Sequence, residues 1–121
     1  MGKFNSIEEI DTWKQACRLS VFIYKISETG KFARDFSLRD QMRRATISIA
    51  SNIAEGFERQ GNKEFARFLY IAKGSAGELR TQVYIVYKLG YVSNNDYLEV
   101  IKECKLISRK ISSLIIYLKK H

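Results

Sequence analysis

Between Ser93 and Lys119 the chain carries Tyr97, Ile101, Cys104, Ser108, Ile111, Ile115 and Leu118 at alternating steps of four and three residues. That is the seam of a helix lying against other helices. Val100, Ile107 and Leu114 widen the seam, so more than one neighbour is needed to cover it. Asp96 and Glu99 stand near the start of the segment and Lys119 and Lys120 near its end, matching the helix dipole. Ser93 or Asn94 is the expected N-cap.

Three further segments have the same helical period. The first, with Asn5 or Ser6 as N-cap and Glu8, Glu9 and Asp11 near its start, sets Ile10, Trp13, Cys17, Val21 and Tyr24 on one face. Leu19, Phe22, Ile23 and Ile26 lie on a neighbouring face, and Gly30 closes the segment. After the connection KFARDF, Ser37 and Asp40 form a capping box for the second helix. Gly56 or Gly61 stops that helix, and Asn62 caps the third, whose Phe65, Phe68, Leu69, Ala72, Leu79 and Val83 recur at three- and four-residue steps up to Gly90.

The stretch RRATISIASNIAEG, residues 43–56, also alternates apolar and polar residues as a strand would. Nothing between Leu38 and Gly56 punctuates the chain, and the neighbouring sequence offers no partner strand, so the helical period is the one to accept. The segmentation is therefore 6–29, 37–58, 62–90 and 93–119, within one domain spanning residues 1–121. Connections of a few residues force sequential helices to lie antiparallel. The expected fold is all-α, an antiparallel up-down-up-down four-helix bundle.

Composition narrows the class of function. Proline is absent, which suits long uninterrupted helices. Lys and Arg number 21 against 13 Asp and Glu, a net charge of +8 concentrated in the second half of the chain. Such a balance favours acidic partners, nucleic acid above all. The N-terminus has no secretory signal pattern and no uncharged run reaches membrane-spanning length, so a cytoplasmic protein without a membrane partner is expected. Cys17 and Cys104 lie inside apolar helical patterns and read as buried free thiols.

Two internal patterns bear on packing. In KGSAGEL the third helix holds Gly74, Ser75, Ala76 and Gly77, and mid-helix glycines are costly enough to suggest close approach of another backbone, here the second helix with its Ala45, Ser48 and Asn52. A polar stripe, Gln41, Arg44, Ser48, Asn52 and Glu55, is matched on the third helix by Ser75, Glu78 and Gln82. Facing stripes would pair Arg43 or Arg44 with Glu78 or Glu55, with Asn52 and Gln82 completing a structural polar network.

Glu55 and Glu78 form the sole candidate carboxylate pair for acid/base chemistry, and no nucleophile or histidine accompanies them. The one histidine is His121, the last residue, so the Glu-x-x-His ligands of di-metal bundles are missing. Phosphate-loop, dinucleotide-binding and zinc spacings are missing as well. The expectation is a protein without catalytic residues, metal site or cofactor.

Three basic clusters are candidates for nucleic-acid binding. Arg59, Lys63 and Arg67 gather at the turn between the second and third helices. Lys73, Arg80 and Lys88 fall on one side of the third helix with Tyr84 among them, and Lys102, Lys105 and Arg109 share a face of the fourth. Cations release counterions from phosphates, and a tyrosine beside them can stack on an unpaired base. The plainer alternative for each is a solvated face that confers solubility.

The run FSLRDQMRRATISIASNIAEGFER, followed by KEFARFLYIAKGSAGELRTQ and KLGY, resembles the four-helix-bundle family encoded in intervening sequences of bacterial 23S ribosomal RNA genes. With the Trp13 region and the last helix, the resemblance spans nearly the whole chain. It implies a ring-like homopentamer, and a relationship to the accessory protein of diversity-generating retroelements, which binds nucleic acid and a reverse transcriptase; it implies no known reaction. Apolar excess at Phe22, Ile23, Ile116 and Tyr117 separately suggests a buried interface beyond the bundle core. Two functions follow as expectations: a non-catalytic oligomer binding RNA or DNA without sequence specificity, with a nucleic-acid enzyme as a further partner, or an assembly module for an acidic protein.

Overall fold

A computed structural model describes residues 4–121. Among them there is no strand; the elements are a 3-10 turn at Ile7–Glu9 and five helices, α1 (Asp11–Ile26), α2 (Gly30–Arg34), α3 (Phe36–Glu58), α4 (Asn62–Lys88) and α5 (Asn94–Lys120). Residues 43–56 are helical throughout. The long helices form a bundle in which α1 borders α3 and α5, and α4 borders α3 and α5.

Boundaries at the N-terminal side differ from expectation. Neither Asn5 nor Ser6 starts a long helix: Ser6 heads only the 3-10 turn, because Ile10 leaves helical geometry with its side chain in the core, and α1 begins after it. Gly30 does not close α1 either. Its positive φ of 66° instead starts α2, which drives Phe32 fully into the core. The last carbonyls of α1 are met by side chains: Ser27 Oγ donates to Ile23 O at 2.7 Å, and the Arg43 guanidinium donates to Ser27 Oγ at 2.9 Å and Tyr24 O at 3.3 Å.

The N-cap of α3 is Asp35, not Ser37; its Oδ1 accepts from Leu38 N–H at 3.2 Å, while Asp40 pairs with Arg39. Gly61, at φ 90°, makes the turn and caps α4, so Asn62 is the first helical residue and not the cap. At the far end Tyr91 N–H reaches Val86 O and Gly90 N–H reaches Tyr87 O, a Schellman ending that requires the positive φ of Gly90. Ser93 Oγ accepts from Asp96 N–H and starts α5 as expected.

Close approach between α3 and α4 occurs at Gly56, a buried residue in the last turn of α3 and not a helix stop. A Cβ there would lie 2.8 Å from Phe68 Cβ and 3.1 Å from Phe65 O. Gly74 and Gly77 do not serve this contact: both are exposed, and a Cβ on either would meet nothing within 4 Å. Ala72, Ser75 and Ala76 face inward instead, and Ser75 Oγ lies 2.9 Å from Ser48 Oγ. Contacts with α1 run from Ser20 against Thr46 to Ser27 against Arg43, and on the other side Gln15 bridges Glu103 and Lys110 of α5.

The core is mostly aliphatic, with Leu19, Ile23, Ile49, Ile53, Leu69, Leu79, Ile107 and Ile111 all fully or nearly fully buried beside the rings of Phe32 and Phe65. Each such side chain contributes about 1.5–3 kcal/mol of transfer free energy. The expected second apolar surface is redistributed accordingly. Ile23 faces the core, Phe22 and Tyr117 pack against it, and only Ile116 of the four is exposed. The exposed apolar side chains instead include Ile71, Ile85 and Leu89 along α4 and Leu98 on α5. No helix among the described residues is long and apolar enough to cross a membrane.

Candidate nucleic-acid interface

The turn from α3 to α4 builds the densest basic site. Arg59 leaves helical geometry with its N–H on Gly56 O, Gly61 reverses the chain, and the close contact at Gly56 brings Phe65 and Phe68 under the turn. Phe68 then supports two cations, the guanidinium of Arg67 at 4.6 Å from its ring centroid and that of Arg59 at 5.1 Å. Each arginine has a carboxylate neighbour on its own helix, Glu55 for Arg59 at 3.0 Å and Glu64 for Arg67 at 3.2 Å. These pairs are solvent-exposed and hold their partners weakly, so a phosphate can compete for the guanidinium. The Glu64 carboxyl is held below its ordinary value, first by the Arg67 hydrogen bond.

The end of α5 completes the site. Lys119 Nζ donates to Tyr70 Oη at 2.7 Å, and a cavity of about 440 Å³ opens between α4 and α5, with Asn62, Lys63, Glu64, Arg67, Tyr70 and Lys119 among its walls. Lys63 has no ion pair among the described residues. The structure thus brings Arg59, Lys63 and Arg67 together and adds Lys119 and Tyr70. Sequence reasoning misses those two because their proximity depends on how α5 returns beside α4. The position of Tyr70 three residues after Arg67 is the available signal.

The other basic clusters are less coherent. Arg80 and Tyr84 share a shallow depression with Gly77 and Tyr97, and Lys88 lies near the Tyr84 ring, but Lys73 stands outside that depression. Tyr97 is stacked on Tyr87 with centroids 4.3 Å apart, which stiffens the aromatic patch. On α5, Lys102 pairs with Glu99, Lys105 is exposed, and Arg109 lines a groove that also holds Glu9 and Asp11. Carboxylates there oppose a polyanion.

The polar network takes a different form from the expected one. Arg43 turns to α1, where its guanidinium also stacks on Tyr24 at 4.4 Å, and Arg44 is exposed with no ion pair among the described residues. Glu55 serves Arg59, and Glu78 is exposed. What joins α3 to α4 is uncharged: Asn52 Nδ2 donates to Ser48 Oγ at 2.9 Å and Ser48 meets Ser75, while Gln82 Oε1 is buried without a partner. The long arginine side chain of Arg43 reaches the Tyr24 carbonyl and the Ser27 hydroxyl at the negative end of α1, which outcompete a solvated carboxylate on α4. Glu55 and Glu78 are not brought together as a pair.

Both thiols are unpaired. Burial pushes Cys104 up to about 12 and raises Cys17 as well, which keeps them protonated at neutral pH.

These features define a class, an all-helical bundle with a basic, aromatic-supported end. The family model for the 23S rRNA-intervening sequence protein matches residues 8–113, and the chain belongs to that family. Its fold is similar to the crystal structure of a protein of unknown function from the S23 ribosomal protein family of Bacteroides thetaiotaomicron VPI-5482. That similarity has a TM-score of 0.79 at 21% identity and covers 86% of this chain and 94% of that one, a likeness of fold alone. No curated protein sequence matches the chain.

Proposed function

We propose that the protein is a non-catalytic, cytoplasmic homo-oligomer that binds RNA or DNA through phosphate contacts and without sequence specificity. The observation that carries this reading is the convergence of Arg59, Lys63, Arg67 and Lys119 from three helices on one end of the bundle. A net charge of +8 per subunit adds long-range attraction for polyanions. Membership of a family named for ribosomal RNA intervening sequences points the same way. The resemblance to the accessory protein of diversity-generating retroelements extends it to a nucleic-acid enzyme as a further partner.

We read the bundle as antiparallel up-down-up-down, supported by the opposite order of contacts along neighbouring helices, such as Ser48 with Ser75 and Gly56 with Phe65. Exposed Ile71, Ile85 and Leu89 on α4 support self-association, and the family resemblance favours a pentamer. Light scattering that finds a monomer at micromolar concentration overturns the oligomer.

Binding is tested by titrating labelled ribosomal RNA fragments and DNA across a salt series. Affinity falls steeply with salt, and the combined Arg59→Gln, Lys63→Gln, Arg67→Gln and Lys119→Gln variant lowers the log–log slope by about one for each phosphate no longer neutralised. Binding that persists above about half-molar salt contradicts a mainly electrostatic mode. No binding at low salt overturns the reading in favour of an acidic protein partner.

A further inference from the structure

Resting on the nucleic-acid reading, we infer that the cavity between the start of α4 and the end of α5 receives one unpaired nucleotide of a single strand, stacked on Tyr70 and edged by Asn62, with its phosphates on Lys63, Arg67 and Lys119. Four observations converge on it. The cavity, about 440 Å³, is of the size that holds small organic groups. Its walls carry three cations against the single carboxylate of Glu64, which Arg67 already neutralises.

Tyr70 presents an open ring. Half of the residue is exposed, and Lys119 Nζ sits 2.7 Å from the hydroxyl but 5.2 Å from the ring centroid. The ammonium therefore lies beyond the hydroxyl, near the long axis of the ring, and does not cover the exposed part of the ring, on which a base can stack. Asn62 is the fourth observation: it lines the cavity, and its Oδ1 is buried with no hydrogen-bond partner, so turning the carboxamide toward a base forfeits no bond at that oxygen. A carboxamide on the wall of such a cavity can pair with the edge of a base. A duplex keeps its base faces and Watson–Crick edges inside the stack, so this site selects an unpaired strand. Arg59, sharing the Phe68 ring with Arg67, extends the cationic track beyond the cavity.

The test uses the full chain, a labelled ten-nucleotide oligoadenylate and a duplex of equal charge, followed by fluorescence anisotropy at low salt. The wild type prefers the single strand. Tyr70→Leu abolishes that preference, with about tenfold weaker single-strand binding. Asn62→Ala weakens single-strand binding while thermal stability holds or rises, because it removes a buried acceptor that has no partner; a merely structural Asn62 loses stability on substitution and leaves binding alone. Arg44→Gln, outside the cavity, leaves both affinities unchanged. Adenosine 5′-monophosphate competes only at much higher concentration than unlabelled oligoadenylate, and equal potency overturns the assignment to a strand. If the wild type binds both nucleic acids equally, or Tyr70→Leu keeps the preference, the pocket is refuted while the nucleic-acid reading stands. If neither is bound, both fall together.

Discussion

Replacing Gly56 by alanine puts a methyl group where α3 and α4 already touch. The new Cβ meets Phe68 Cβ at 2.8 Å, Phe65 Cδ1 at 2.9 Å and Phe65 O at 3.1 Å. The Phe65 ring can turn aside, but a Cβ and a carbonyl oxygen move only with the backbone that carries them, so the helices must separate locally. Overpacking of this kind costs about 1–3 kcal/mol. Alanine returns about 0.5–1 kcal/mol through its better helix propensity. The net expectation is a loss of about 1–2 kcal/mol, or a fall in Tm of about 4–8 °C for a domain of this size. The internal control is Gly74→Ala, where open space leaves only the propensity gain and Tm rises by about 2–4 °C. Thermal melting followed by circular dichroism reads both. A Gly56→Ala protein that melts at or above the wild-type temperature refutes the close-approach argument.

Adjacent arginines should separate cleanly: Arg43→Met loses bonds to Ser27 and Tyr24 and destabilises by about 1–2 kcal/mol in chemical denaturation, whereas exposed Arg44→Met stays within about 0.5 kcal/mol. In native protein, iodoacetamide followed by mass spectrometry labels half-buried Cys17 before Cys104, and equal rates would contradict the burial that pushes Cys104 up to about 12. The Asp11 carboxyl is held below its ordinary value by its hydrogen bond to Lys110, so that bond's contribution is present above the unfolded pKa of about 4 and lost as pH falls through the lower folded value. Lys110→Met is accordingly less stable than wild type at about pH 6, and the gap narrows on acidification; a gap independent of pH counts against the bond.

Most of the secondary structure is legible in the sequence because apolar residues recur with the helical period and little else interrupts it. The extent of α3, from the segment bounded by KFARDF and ERQGN, and the Ser93 cap of α5 follow from local chemistry alone. Glycines are legible only by position. Glycine within a helix signals either close approach or tolerance of open space, and sequence does not separate Gly56, which is crowded, from Gly74 and Gly77, which are not. The α1 boundary escapes the pattern for a related reason: Ile10 fits the helical period, yet burial of its side chain breaks the helix before it. At the candidate site, the cluster Arg59, Lys63 and Arg67 is visible because a short turn keeps its members together. Lys119 lies more than fifty residues from them, and only tertiary packing brings it to Tyr70.

The two oxygens of Asp35 serve different parts of the molecule. Oδ1 holds the first turn of α3, and Oδ2 accepts the Tyr91 hydroxyl at 2.9 Å, beside the stacking of Tyr91 on Phe32. Fraying at the start of α3 and opening of the α4–α5 turn are therefore one event and not two, although 56 residues separate the partners in the chain. Amides near Leu38 and Tyr91 belong to a single cooperative unit and exchange with solvent at a common rate. The end of the bundle opposite the basic turn is thus clasped by one side chain, which ties the start of α3 to the turn that follows α4.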